Sequence, residues 1–318
     1  MAALSSPRGL IVDLLTPLKR NGDIDGHSLG KHLDRVLPHV QAVLIAGPHM
    51  GEGGNLDVRQ REELMGKTLA VVRGQVPVLV WITQDTEQKT RETLGVLSRR
   101  LKTKKYAGRL CWLDTPLYYH SNRGLFSYYR NLTPLTRDAW VLHNDPGLIH
   151  RLGRSLKRNN IRTSILLKIM EIEEIQGLLY LGSLDRAANY EKATRTRPDF
   201  KIYDGDESRF LTHPSLSGVV SAGANLSPKA WNKITEASLA LLDKREDYPD
   251  RLQQIWKTGR HLQTLLDLYG SQAVQVIKQV LAEAGTIESP TCFVETGEVR
   301  ERVKSIIKEM HHFGDYPR

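Results

Sequence analysis

A chain of 318 residues accommodates one large domain or two small ones, and 40% hydrophobic with 25% charged residues is the composition of an ordinary globular protein. No apolar run is long enough to cross a bilayer, and Met1 to Arg8 carries no signal-peptide core, so a cytoplasmic protein without membrane contact is expected. The net charge of +9 raises nucleic-acid binding, but no helix-turn-helix, RNP motif or aromatic-interleaved basic strand accompanies it, and a solvated basic surface is the better reading.

Taken in chain order, short apolar runs recur, each followed by an amphipathic stretch. They are 10–15, 42–46, 76–82, 108–113, 139–143, 177–181, 200–203 and 217–221. Runs of this length, apolar on both faces, predict parallel strands covered by helices. Helical spacing follows, as in 28–37, and the basic cluster Arg99 to Lys105 reads as the last turn of a helix, where cations oppose the helix dipole. Eight strand–helix alternations indicate a closed barrel or a doubly wound sheet. From about Ser227 to Met310 the pattern is helical without strands, and the tail 311–318 reads as frayed. The expected organisation is a barrel over 1–226 with C-terminal helices over 227–318 packed on it as one domain. Cys111 and Cys292 lack metal-ligand spacing and read as buried free thiols.

The junctions after the strands carry a resemblance. Thr16-Pro17-Leu18 leads to Gly22 and Asp23; Gly51-Glu52 leads to Leu56 and Arg61-Glu62-Glu63-Leu64. Thr115-Pro116-Leu117-Tyr118-Tyr119, Asn144-Asp145-Pro146-Gly147, Asp204-Gly205-Asp206-Glu207 and Gly218-Val219-Val220-Ser221 with Ala224-Asn225 follow in order. Together they resemble the dihydrodipicolinate synthase and N-acetylneuraminate lyase family. The resemblance implies a (β/α)₈ TIM barrel, a site at the C-terminal mouth of the strands, a small-molecule ligand, and a homodimer or homotetramer. It implies no cofactor.

In that family a lysine near the end of the sixth strand forms a Schiff base with a 2-oxo acid, making the carbonyl an electron sink. The matching position here is Leu179, which has no nitrogen to form the imine. The family's carboxylate-binding Thr-Thr is matched by His49-Met50, its proton-relaying tyrosine by His143, a distal arginine by Leu148, and a small residue of the first strand by Asp13. Tyr118-Tyr119 survives, and one of the pair reaches a neighbouring subunit's site in the family.

Asp13, His49 and His143 should then converge on one cavity, and buried ionisable groups are costly unless they pair or bind something. The expected catalytic set is His143 as acid or base, Asp13 orienting it, and Tyr118 or Tyr119 assisting. His49, Met50, Gly51, Glu52, Asp145, Tyr180, Asp204 and Ser221 are the expected binding residues. His49, His143 and Asp13 or Asp145 have acceptable metal-ligand types, yet their spacing demands no metal and none is expected. Asp204, Asp206 and Glu207 read as helix caps and a solvated turn. Three readings follow: an enzyme acting on a small carbonyl or carboxylic compound without a Schiff base, a noncatalytic homologue kept for binding or assembly, or a conventional lyase served by another lysine such as Lys168 or Lys201.

Overall fold

The computed structural model describes residues 6–104, 106–153, 158–215, 217–239, 248–295 and 297–316. Eight parallel strands close a barrel in sequence order: β1 (Gly9–Asp13), β2 (Ala42–Ile45), β3 (Val78–Trp81), β4 (Leu110–Asp114), β5 (Ala139–Asn144), β6 (Ile175–Tyr180), β7 (Lys201–Asp204) and β8 (Gly218–Ser221). The chain is thus a (β/α)₈ barrel rather than an open sheet. Side chains alternate along each strand. Ile11, Leu44, Leu79, Trp81, Leu113, Val141, Leu179, Tyr203 and Val220 fill the interior, while Leu10, Val43, Val80, Trp112, Leu142, Leu178 and Val219 meet the surrounding helices. Such double burial explains why the strands read as continuous apolar runs.

Closure pairs β1 with β8, beginning Gly9↔Gly218. A Cβ on Gly218 would lie 1.9 Å from the Gly9 carbonyl oxygen, and its φ is +125°, so only glycine fits where the two backbones meet.

The barrel helices are α1 (Gly26–Val36), α2 (Val58–Val72), α3 (Glu87–Lys104), α4 (Leu125–Leu132), α5 (Pro146–His150), α6 (Thr163–Ile169), α7 (Leu184–Thr194) and α8 (Glu207–Thr212). The basic cluster ends α3 as expected, with Lys102 and Lys104 in its last turn; Lys105 lies outside the described residues. Among the described residues four further helices follow: α9 (Pro228–Leu239), α10 (Tyr248–Tyr269), α11 (Ala273–Glu283) and α12 (Arg300–Phe313). Leu265, Val276, Ile277, Val303 and Ile306 from these join Leu15 and Met50 in one apolar cluster, which seats the C-terminal helices beside the barrel mouth.

Two expectations need correction. The tail is not frayed through its described part: α12 runs to Phe313, whose ring stacks on His261 at 3.8 Å, and Asp315 accepts a hydrogen bond from Ser227. Gly314, at φ +83°, ends the helix because it adopts the left-handed conformation without strain. Of the two free thiols, Cys111 is buried inside the barrel but Cys292 is only partly covered.

Candidate active site

Strand alternation decides which side chains reach the mouth. Inward Ile11, Val141 and Leu179 put Asp13 and His143 inward as well, and turn Asn144 and Tyr180 outward. A cavity of about 610 Å³ opens there, lined by Asp13, His49, Met50, Glu52, His143 and Leu179, with Arg151, Glu207 and Tyr269 on its rim and walls. Leu179 lines it, and no lysine does among the described residues. Met50 and Leu179 line the cavity and Leu148 does not.

His143 does not meet Asp13. Its Nδ1 lies 2.7 Å from Thr115 Oγ1, which in turn accepts the Trp81 indole N–H at 2.8 Å. Indole only donates, so the arrangement satisfying all three groups has the Thr115 hydroxyl donating to Nδ1. The neutral imidazole then carries its proton on Nε2. Burial drives the His143 pKa down to about 4, so the ring is neutral at physiological pH. Thr115 is itself fixed by its backbone N–H, which donates to Thr83 Oγ1 at 2.7 Å, while Thr83 donates to the buried Asp114 at 2.6 Å.

An Asp–His pair does exist, with other members than expected. His49 Nε2 and Asp145 Oδ2 are 2.8 Å apart, and Asp145 Oδ1 caps α5 by accepting from the Leu148 N–H at 2.9 Å. Burial works against a charge on His49, yet the hydrogen bond and charge of Asp145, with Asp13 beyond, hold its pKa above the ordinary value. Asp145 is burdened by burial but brought down to about 2 by His49 and His143. Both shifts favour the charged form of the pair. The His49 ring meets His143 edge-on at 6.4 Å.

Asp13 is buried, accepts only a long 3.3 Å bond from the Met50 N–H, and leaves Oδ1 without a partner. Burial raises its pKa to about 6, against the opposing pull of His49.

Glu207 corrects the expectation of a solvated turn. Asp206 caps α8 as expected, through the Arg209 N–H. Glu207, however, is buried against the cavity and accepts from the Ser221 hydroxyl, the Gly223 N–H at 2.8 Å and the Tyr269 hydroxyl at 2.7 Å. Burial raises its pKa despite these bonds. Helix-start position identified Asp206; nothing local in the sequence marks Glu207, because its partners come from β8 and α10.

Several expected site residues lie elsewhere. Tyr119 donates to Asp114 Oδ2 at 2.6 Å, outside the barrel wall, and Tyr118 stands edge-on to Trp81 at 6.5 Å; neither lines the cavity. Tyr180 faces outward onto Tyr190, and Asp204 pairs with Arg209. Ser221 also faces outward and serves Glu207. Gly51 holds the loop by accepting from Thr16 Oγ1 at 2.7 Å. Glu52 reaches the cavity edge but is bound to the buried Lys278 ammonium and to the Phe293 N–H at 2.8 Å. Of the lysines considered as substitutes, Lys168 is exposed on α6, and the Lys201 ammonium turns to the Pro198 carbonyl at the start of β7. Arg151, three residues beyond Leu148, brings a guanidinium to the cavity lining.

Comparison with known proteins agrees with this architecture. The Dihydrodipicolinate synthetase family model matches residues 6–310. The 4-hydroxy-tetrahydrodipicolinate synthase of Ectopseudomonas mendocina is 28% identical over 73% of this chain and 75% of its own length. That of Aromatoleum aromaticum is 25% identical over 88% and 89%. Among solved structures, a monomeric dihydrodipicolinate synthase variant superposes with a TM-score of 0.79 at 21% identity, covering 97% of each chain. The chloride-inhibited dihydrodipicolinate synthase of Acinetobacter baumannii, in complex with pyruvate, gives 0.76 at 18%, covering 98% of this chain and all of the other. This chain belongs to the Dihydrodipicolinate synthetase family.

Proposed function

We propose that this protein is a divergent family member whose barrel mouth acts on a small carbonyl or carboxylic compound without forming a lysine imine. The observation carrying this reading is a cavity of about 610 Å³ lined by Leu179 and by no described lysine, onto which His143 and His49 converge, His49 being hydrogen-bonded to Asp145. A cavity that size holds a small metabolite, and apolar walls with a few convergent polar groups characterise ligand sites. His143, neutral and with Nε2 unbonded to any described protein group, is suited to proton transfer. His49, whose charged form Asp145 favours, suits a carboxylate together with Arg151, which lines the same cavity. The noncatalytic alternative is less well supported, since an abandoned site has no reason to keep ionisable groups buried at a cost. A homodimer or homotetramer is the assembly proposed from the family resemblance.

The test combines trapping with isotope exchange. Incubation with pyruvate and borohydride should leave the mass unchanged, whereas a reduced adduct would overturn the imine-free reading. With a panel of small 2-oxo acids, deuterium from solvent should enter beside the carbonyl. His143→Gln should slow that exchange by about 10²-fold. Exchange with no member of the panel, or equal exchange in the variant, would overturn the catalytic role.

A further inference from the structure

We propose that His49, His143 and Asp145 form a binding site for a divalent cation of the zinc type, its open coordination position facing the barrel-mouth cavity. One ligand atom from each residue lies within 4.8 Å of the other two. Two imidazoles and a carboxylate are donors zinc takes, and three protein ligands with a free fourth position describe a site able to accept a further oxygen. Bonds of about 2.0–2.1 Å place tetrahedral donors about 3.3 Å apart. The His49–Asp145 contact of 2.8 Å is about 0.5 Å closer than that, and the outer bound of 4.8 Å about 1.5 Å wider. Side-chain adjustments on the order of 1 Å let the ion replace the proton that His49 and Asp145 share.

Two of the ligands are held from behind, as metal ligands generally are. The Leu148 N–H binds Asp145 Oδ1 and leaves Oδ2 forward. Thr115 holds His143 by Nδ1. Coordination through Nε2 displaces that nitrogen's proton, and the neutral ring then carries its proton on Nδ1, which requires the Thr115 hydroxyl to turn from donor to acceptor there. The surrounding charge also favours a cation. Asp13, with its unpartnered Oδ1, and Glu207 line the same cavity, while Arg151 is its one lysine or arginine among the described residues. The inference rests on the cavity being a reaction site and names its electron sink: an ion there polarises a carbonyl or carboxylate oxygen, the task for which no amine lines the cavity.

The full chain, stripped of metal with a chelator, is titrated with Co²⁺ while its visible ligand-field absorption is followed, then with Zn²⁺ in competition. One Co²⁺ per chain in a tetrahedral-type spectrum, displaced by Zn²⁺, is expected. His143→Gln and Asp145→Asn should each weaken binding by about 10²-fold or more. His49→Gln, whose side chain is partly exposed, provides a variant whose folding is least at risk. No Co²⁺ spectrum in the wild type, or the same spectrum and affinity in His49→Gln, would overturn the site. Because no substrate is present, the outcome is separable from the proposed activity. A protein that binds no ion yet shows His143-dependent exchange overturns the metal alone. One that binds the ion but leaves every oxo acid untouched keeps the site and overturns the catalytic reading.

Discussion

Between the indole of Trp81, which can only donate, and the Nδ1 of His143 stands one hydroxyl, that of Thr115. Its removal leaves a buried N–H without an acceptor and a buried imidazole free to change tautomer. Thr115→Val should therefore destabilise the fold by about 1–3 kcal/mol, while Thr115→Ser, which keeps the hydroxyl, should cost much less. Urea denaturation of the two variants checks this; equal losses would show that the methyl group, not the hydrogen bonds, matters. At this scale the sequence was partly legible. Matching the Thr-Pro after the fourth strand identified Thr115 as a family position, and His143 and Asp13 were placed in the mouth by the same family matching. Which hydrogen bonds each makes was not legible. Asp13 and His143 face one cavity without touching, and the carboxylate that meets an imidazole is Asp145, two residues beyond His143 and already turned into the cap of α5.

The turn after β8 ties the two ends of the barrel together. Asn225 donates to the Asp13 carbonyl at 2.7 Å and accepts from the Leu15 N–H at 3.1 Å, so the last strand's turn locks onto the first strand's end. His32 of α1 donates from Nε2 to the same Asn225 oxygen, at 2.9 Å. Burial, with Arg35 adding repulsion, pushes the His32 pKa down to about 3. The unfolded chain titrates near 6.5, so between these values it binds the proton that the folded protein excludes. The contribution of His32 is complete above about pH 6.5 and is lost as pH falls, at up to about 1.4 kcal/mol per unit. His32→Gln should flatten the acid limb of stability between about pH 6 and 4, measured by urea denaturation across that range; an unchanged slope would refute the assignment. The Ala-Asn of the eighth junction was legible as a motif, but its work is barrel closure rather than ligand contact. Likewise α8 was legible as a capped helix at Asp206, whereas the inward turn of Glu207 needed Ser221 and Tyr269 from distant elements.

For the molecule as a whole, one buried ion pair joins the C-terminal helices to the barrel. Lys278 of α11 is fully buried, donates to Glu52 in the loop after β2, and also to the Thr291 carbonyl at 2.8 Å. Removing one partner strands the other as an uncompensated charge. Lys278→Met should cost about 3–5 kcal/mol, and adding Glu52→Gln should recover a substantial part of it. A double-mutant cycle by denaturation measures the coupling; additive losses would mean the two charges do not depend on each other.

Eight apolar runs at near-regular spacing, helices between them and six ordered junction motifs were enough for the sequence alone to determine the barrel, its family and which strand ends face the mouth. Those features are local or strictly periodic: alternation depends on neighbouring residues, and a junction motif carries its turn with it. Only the tertiary structure decided that Tyr118, Tyr119, Tyr180 and Asp204 stand away from the cavity, and that His49 and His143, which line it, meet beside Asp145. The reason is physical. A loop's path and a side chain's partner are set by contacts between segments on the order of a hundred residues apart, and no spacing along the chain records which pairs those will be.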